Sequence, residues 1–454
     1  MNALIIAAGK GTRQRARGDS KPLIPVLGLS LIERTILTAK KSGIAKFYIV
    51  TGYNGNKIRH RLGDGKKYGI EIEYLQNNEW DQGNCISILK AKNCFNEQFI
   101  LLMSDHIYDS RILDNLLTKN AGKDECILCI DKKNLPHLNI DDATKVLTEG
   151  NLIKDIGKNL KNYNGIDVGI FLCNPVIFDV LEESITRGDD SLSGAIRILI
   201  QRDKMKYEII DNNFWIDVDD EKDLKSAELL LCNNLKKDSD GPVSKILNRP
   251  ISLWISKILL KTDITPNHIS LLSFIIGIFG ALLFFLGEYF YLILGGILVQ
   301  IHSIIDGCDG EVARLKLKET KYGAWFDAIL DRYADAGIIL GLTYGYWSIN
   351  NDELIWLIGF VAVIGSFLNS YTGDKYDSIF RNEDRAIRSR IRIGRDVRLL
   401  LLTIGALTNQ IPIILVIVAA LANFEVLRRL IVFKSKIENN IEANSRSNSC
   451  SLPN

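Results

Sequence analysis

Residues 306–331 read DGCDGEVARLKLKETKYGAWFDAILD. They place four aspartates, Asp306, Asp309, Asp327 and Asp331, in a part of the chain otherwise composed like membrane helix. An acid at bilayer depth costs about 3 kcal/mol on insertion scales, so four would cost on the order of 10 kcal/mol without compensation. Their spacing suggests the compensation. Asp327 and Asp331 are four apart and stack on one helix face, with Gly323 one turn earlier, while Asp306 and Asp309 are three apart on a second helix. Two helices thus present paired carboxylates, an all-oxygen donor set suited to divalent cations. Gly310, Ala313 and Gly323 lack bulk, so a ligand or helix can approach closely, and Arg314 can neutralise phosphate.

The rest of the chain divides around this stretch. A length of 454 residues predicts two or three domains, and a formal charge of +2 excludes a global basic field for nucleic acid. Residues 1–232 mix apolar and charged side chains as soluble domains do. From His268 to Phe433 the chain carries apolar runs of bilayer-spanning length, which predict an all-α polytopic membrane domain over 263–434. Six transmembrane helices are expected at 268–287, 289–307, 324–347, 353–373, 397–409 and 411–433, with a disordered tail at 435–454. The stretch RNEDRAIRSRIRIGRDVR (381–398) holds seven arginines, a cytoplasmic marker. The soluble domain, the acidic motif and this basic loop are therefore all expected on the cytoplasmic side of a multi-pass protein.

Residues 233–262 form the connection. NNLKKDSDGPVSK (233–245) reads as a linker, and PISLWISKILLK (250–261) as an amphipathic interfacial helix. Its apolar stripe is Ile251, Trp254, Ile255, Ile258 and Leu259, opposite Ser252, Ser256, Lys257 and Lys261.

In the first half, ALIIAA, FYIVTGY, IEIEYLQ, FILLMSD, CILCID and GIFLCN read as strands. They alternate with helical segments beginning near Leu31, Lys57, Asn84, Ile112, Ile177, Leu192 and Asp220. That order predicts an α/β domain with a largely parallel sheet, whose ligands sit at the carboxyl ends of strands. The eight cysteines are scattered; Cys126 and Cys129 form a CxxC inside a strand-like run and read as core. MNALIIAAGK lacks the basic start and long apolar run of a signal peptide.

The order Asp306-x-x-Asp309-Gly310-x-x-Ala313-Arg314, eight residues, then Gly323-x-x-x-Asp327-x-x-x-Asp331 resembles the CDP-alcohol phosphotransferase family. The resemblance runs from about Pro250 to Phe433 and includes TPN (265–267) and GRD (394–396). It implies that an alcohol attacks the phosphorus distal to the cytidine of a CDP-alcohol and CMP leaves. Asp306, Asp309 and Asp327 would hold metal, and Asp331 would approach the metal and act as general base. Gly310, Ala313, Arg314 and Gly323 would line the CDP pocket, with Asp335 one turn deeper. Arg388, Arg390, Arg392 and Arg395 are candidates for the phosphate of an anionic acceptor, with a topology signal as their alternative role. The family also suggests a homodimer. A proton or ion path is the competing reading of the acids.

LIIAAGKGTRQRARGDSKPL (4–23) places a glycine-rich turn after a buried strand. Backbone N–H groups along Ala8, Gly9, Lys10, Gly11 and Thr12 can meet phosphate oxygens, with charge from Lys10, Arg13 and Lys21. Over about residues 2–231 the chain resembles the sugar-phosphate nucleotidyltransferases of GT-A-like Rossmann fold. The resemblance implies catalytic roles for Arg13 and Lys21 and a metal ligand at Asp105. It implies a second ligand at Asp217 or Asp219, with Asp219 favoured. NEWDQGNCIS (78–87) resembles the nucleobase and acceptor region of phosphocholine cytidylyltransferase-like members, implicating Asn84 and Ser87. Lys158 in IGK would contact the acceptor's phosphate.

The two-domain order resembles bifunctional enzymes that make CDP-inositol from CTP and inositol-1-phosphate, then pass it to a second inositol-1-phosphate. The implied partners are CTP, a phospho-alcohol, the CDP-alcohol and the bilayer, with Mg²⁺ or Mn²⁺ in both active sites. Asparagine pairs at 77–78, 212–213 and 350–351 sit badly with a heat-loving source, where that solute belongs. Transfer of a CDP-linked head group to a lipid acceptor is therefore the alternative, and a nucleotide-binding regulator or transporter without turnover a third reading.

Overall fold

A computed structural model describes the chain from Met1 to Ser449 apart from residues 12–19, 134–139, 141, 212, 236–240 and 380–393. The chain forms two compact units, Met1–Asn233 and Asn234–Asn454.

The first unit has strands β1 (Asn2–Ala7), β2 (Pro25–Val26), β3 (Leu29–Ser30), β4 (Lys46–Thr51), β5 (Glu71–Gln76), β6 (Phe99–Met103), β7 (His106–Tyr108), β8 (Cys126–Asp131), β9 (Lys145–Glu149), β10 (Leu152–Gly157), β11 (Gly165–Cys173), β12 (Met205–Ile209) and β13 (Trp215–Asp217). Its α-helices are α1 (Leu31–Lys41), α2 (Gly55–Leu62), α3 (Asn84–Leu89), α4 (Ser110–Leu116), α5 (Val176–Thr186), α6 (Leu192–Gln201) and α7 (Glu221–Asn233). Nine strands make one sheet in the order β5-β4-β1-β6-β11-β8-β12-β10-β9.

Alternate residues of the central strands feed two cores, as the period-two pleat requires. Ile5, Ile49 and Leu102 pack with Ile36, Ile58 and Leu113 on one face, while Leu4, Val50 and Leu101 pack with Ile88, Phe178 and Ile196 on the other. Both faces are covered by helices, which is why the strands read as continuous apolar runs. Cys126 and Cys129 fall on opposite faces of β8, one in each core, so the CxxC is packing.

The sheet is only partly parallel. Strands β1, β4, β5 and β6 are parallel, but β11 runs antiparallel to both β6 and β8. Short antiparallel elements such as β9 and β10 have no helix between them and leave a weak alternation, so the expected largely parallel sheet is corrected to a mixed one.

In the second unit a π-helical turn (Ser244–Asn248) leads into α8 (Arg249–Leu259). There follow α9 (Pro266–Phe285), α10 (Tyr289–Leu315), α11 (Lys321–Asn350), α12 (Leu354–Ile379), α13 (Arg395–Leu407) and α14 (Ile411–Ser449). Helix stands at all six expected positions, but among the described residues four helices (α9, α10, α12 and α14) are long and apolar enough to cross a membrane. The third expected span, α11, is diluted by its aspartates, and the fifth, α13, has 13 residues. The tail expected to be disordered from 435 instead continues α14 to Ser449.

Helices α9 and α11 meet through small residues. A Cβ on Gly341 would lie 2.4 Å from the Ala281 carbonyl oxygen, and one on Gly345 2.0 Å from that of Phe284. Such backbone approach is what holds apolar helices together where no hydrophobic driving force separates them from lipid.

Candidate active sites

A cavity of about 680 Å³ lies on the first unit, lined among others by Asn84, Asp105, His106, Lys158, Asp167, Trp215, Asp217 and Asp219. Its centre is built by a strand pair too short to read from sequence. Asp105 follows β6, and β7 then pairs antiparallel with β13 so that His106 stands opposite Asp217. Lys21 reaches in from the glycine-rich segment. Its ammonium donates to Asp105 Oδ2 at 2.6 Å and Asp219 Oδ1 at 2.5 Å, with Asp217 Oδ1 at 3.9 Å. Gly11 makes room: its φ is +61° and a Cβ there would lie 2.5 Å from Lys21 Cβ.

The electrostatics follow from burial and charge together. Burial disfavours the Lys21 ammonium, but Asp105, Asp217 and Asp219 outweigh it and raise its pKa above the usual range. Asp105 is buried too, yet Lys21 and His106 hold its carboxyl well below the usual range. Burial also opposes charge on His106, whose Nδ1 is 3.0 Å from Asp105 Oδ1, but Asp217 and Asp105 raise it to about 9. Asp217 and Asp167 are pushed up to about 6, in each case by burial first.

This site fits a divalent cation. Ligand atoms of Asp105, His106 and Asp217 lie within 4.8 Å of one another. Asp217 Oδ1 is buried with no hydrogen-bond partner among the described residues. Asp217, the less favoured of the two ligand candidates, stands in this cluster, while Asp219 faces Lys21.

The other expected residues divide. Asn84 and Lys158 line the cavity, with Lys158 Nζ 3.3 Å from Asp142 Oδ1. Ser87 does not line it; it is buried, and its hydroxyl accepts from Asn77 Nδ2 at 3.0 Å. Ala8 is buried, and Lys10 lies over the Tyr53 ring at 5.4 Å. Gly9 is exposed, and Thr12 and Arg13 lie outside the described residues. Sequence reasoning missed His106, whose one signal was its place beside Asp105, and Asp167, whose turn is held by its hydrogen bond from Gly169 N at 2.7 Å. It also missed Trp215 as a wall of the cavity, anchored through Nε1 to Asp131 Oδ2 at 2.9 Å.

In the second unit the acids meet across α10 and α11 as their spacing predicts. Ligand atoms of Asp306, Asp327 and Asp331 lie within 4.8 Å of one another. Asp309 accepts from the Ser270 hydroxyl of α9 and from Gly310 N. The Arg314 guanidinium folds over Gly310, where a Cβ would lie 3.1 Å from its Nη1. Ala313 is half-buried on the same helix. Gly323 N donates to Thr320 Oγ1 at 2.9 Å, capping α11. Asn267 of the TPN stretch approaches Gly323, its Oδ1 lying 3.1 Å from where a Cβ would stand.

Arg395, one of the candidates for an acceptor's phosphate, is placed by the structure at the acids of α10 and α11. Its guanidinium lies inside the acid cluster, with Nη1 2.8 Å from Asp306 Oδ2 and 2.9 Å from Asp331 Oδ1. Nε donates to Asp335 Oδ1 at 2.8 Å, and Nη2 to His302 Nε2 at 2.7 Å. Asp335 also pairs with buried Arg398 at 3.3 Å, so the acid one turn deeper holds the arginines in place. Arg388, Arg390 and Arg392 lie outside the described residues. Here too the donors fit divalent metal: the carboxylates of Asp306, Asp327 and Asp331 converge, and Arg395 balances part of their charge. His302 and Glu311 were missed; an acid or imidazole on the buried part of an apolar helix was their signal.

An α/β domain with a cation-balanced acid cluster, joined to membrane helices carrying a second one, defines a two-site nucleotidyl and phospho-alcohol transferase. The family models agree: residues 2–139 match Nucleotidyl transferase and residues 263–377 match CDP-alcohol phosphatidyltransferase. A "Bifunctional IPC transferase and DIPP synthase" of Rubrobacter xylanophilus is 35% identical over 444 residues, 96% of this chain and 97% of that protein. One of Aquifex aeolicus is 34% identical over 443 residues, 96% and 98%. The chain belongs to the family of bifunctional IPC transferases and DIPP synthases. A solved structure, the inositol-1-phosphate CTP transferase from T. maritima, aligns at 24% identity and TM-score 0.46, covering 50% of this chain and 94% of that one. With four apolar helices long enough to span, the second unit is a multi-pass membrane domain.

Proposed function

We propose that the chain performs two consecutive transfers. CTP and inositol-1-phosphate give CDP-inositol and diphosphate. CDP-inositol and a second inositol-1-phosphate then give di-myo-inositol phosphate phosphate and CMP. The observation that carries this reading is the end-to-end similarity to relatives of that name, with an acid cluster in each domain.

In the first step the attacking phosphate is already a nucleophile, so the site has to align it with the α-phosphorus and offset charge. The backbone of Ala8–Thr12 cradles the triphosphate, and Arg13 and Lys21 neutralise it. Lys158 draws in the acceptor's phosphate, and Asn84 sits beside the base. A divalent cation, Mg²⁺ or Mn²⁺, held by Asp105 with Asp217 or Asp219, offsets charge on the diphosphate when bound. In the second step Gly310, Ala313, Arg314 and Gly323 receive the CDP moiety. Asp331 takes the proton of the attacking hydroxyl, and Asp306, Asp309 and Asp327 would hold metal of the same kind. Arg395, placed among these acids, orients Asp331 and Asp306.

Apolar side chains directed outward on the spanning helices, among them Phe279, Phe360 and Phe424, support a lipid surround. The arginine-rich stretch supports placing the soluble domain and both sites on the cytoplasmic side. We propose six crossings, with α11 and α13 sheltered by their neighbours, and a homodimer on family grounds.

The test uses purified full-length protein with labelled CTP and inositol-1-phosphate. Diphosphate release, CDP-inositol and a water-soluble phosphodiester are expected. Formation of CDP-inositol with a product that partitions into organic solvent would assign a lipid acceptor instead. Absence of both steps with inositol-1-phosphate would overturn the substrate.

A further inference from the structure

Glu311 is fully buried (0% exposed); it lies in sequence between Asp309 of the acid motif and Arg314 of the CDP pocket, and plays no part in the chemistry above. A carboxylate removed from water needs donors, and its three come from one helix. Arg249 Nη1 donates at 2.7 Å, Ser252 Oγ at 2.6 Å and Ser256 Oγ at 2.7 Å. Residues 249, 252 and 256 share one face of α8. Ser252 and Ser256 of this helix therefore face the protein, while its apolar stripe faces out, with Trp254 65% exposed.

Glu311 stands on the back of the turns whose front carries the acids. At about 100° per residue it is roughly 140° from Asp306 and 160° from Asp309 around α10. The same back face meets α8 at Gly307, where a Cβ would lie 3.6 Å from Ser252 Oγ, and at Cys308, whose Sγ is 3.5 Å from Ser252 O. The segment before α8 is tied to the site from a second side. Ser244 N donates to Asp396 Oδ2 at 2.8 Å, next to the arginine that bridges Asp306 and Asp331. Asn248 Nδ2 donates to Ser303 Oγ at 3.0 Å.

We propose that Glu311 is a positioning residue for the phosphotransfer site, acting through α8 packed on the back of α10. By gripping Arg249, Ser252 and Ser256 it sets the rotation of the last turns of α10, and with it the aim of Asp306 and Asp309. The inference rests on the phosphotransfer reading above. Wild-type protein tests that reading separately, by releasing CMP from CDP-inositol and binding Mn²⁺.

The experiment uses full-length protein in lipid nanodiscs. CMP release is followed from supplied CDP-inositol and inositol-1-phosphate, and CDP-inositol formation from CTP and inositol-1-phosphate serves as the internal control. Mn²⁺ binding at the membrane site is read by electron paramagnetic resonance in an Asp105→Ala background. Glu311→Ala is expected to lower kcat for CMP release at least tenfold and weaken Mn²⁺ binding at least fivefold, with CDP-inositol formation unchanged. Glu311→Gln, whose carbonyl oxygen still accepts from Ser252 and Arg249 while its amide donates to the Ser256 hydroxyl, is expected to recover most of the loss. A Glu311→Ala protein that accumulates and keeps wild-type kcat and Mn²⁺ affinity would show that the carboxylate only glues α8 in place, overturning the proposal. Should Glu311→Ala fail to accumulate, Ser252→Ala with Ser256→Ala leaves the ion pair and removes two donors. Unchanged Mn²⁺ affinity in that variant would overturn it equally.

Discussion

Replacing Arg395 with methionine tests whether the membrane acids are built to hold a cation. The guanidinium stands 2.8 Å from Asp306, 2.9 Å from Asp331 and 2.8 Å from Asp335, all largely buried. Removing one partner of a buried ion pair leaves an uncompensated charge and costs about 3–5 kcal/mol. In a unit the size of Asn234–Asn454, each kcal/mol moves the melting temperature by about 2–4 °C, so a fall of about 10 °C is expected in EDTA. Divalent cation should then stabilise the variant more than the wild type, because the acids have lost their internal counter-ion. Scanning calorimetry of both proteins in nanodiscs, with EDTA and with Mg²⁺, reads the effect. Equal melting in EDTA, or an equal gain from Mg²⁺, would refute the reasoning.

Three further outcomes follow from the geometry. Asp331→Asn should reduce CMP release more than 100-fold while sparing CDP-inositol formation, and Asp105→Ala should do the reverse; assays of the separate steps decide, and an intact second step in Asp331→Asn would remove it as the base. Gly11→Ala forces a side chain into φ +61° and against Lys21, so CTP turnover should fall at least tenfold without change in CMP release from supplied CDP-inositol. Burial raises Asp167 to about 6, above its ordinary value near 3.8, so the fold favours its protonated form. Its contribution is fully present below about pH 4 and lost as pH rises through 6, and Asp167→Asn should therefore equal wild type in acid and exceed it by about 3 kcal/mol above pH 7. Denaturant titrations across that range check this, and a gap independent of pH would contradict it.

Much of both sites was legible because local spacing decides which helix or strand face a side chain occupies. Asp327 and Asp331, four apart, had to share a face of α11, and the run LIIAA had to be a covered strand ending at a glycine-rich turn. The amphipathic stripes of α8 were equally visible, with Trp254 and Ile258 opposite Ser252 and Ser256.

What meets each face is a long-range matter, and only the tertiary structure decided it. The pairing of β7 with β13 set His106 against Asp217, and no periodicity in three-residue strands announces such a register. Arg395 was readable as a cation but not as the one seated among Asp306, Asp331 and Asp335, because its neighbours come from α10 and α11. The inward turn of Ser252 and Ser256 on α8 depended on a single buried acid elsewhere in the chain, Glu311. Sequence periodicity orients a side chain about its own axis; the packing of distant segments chooses its partner.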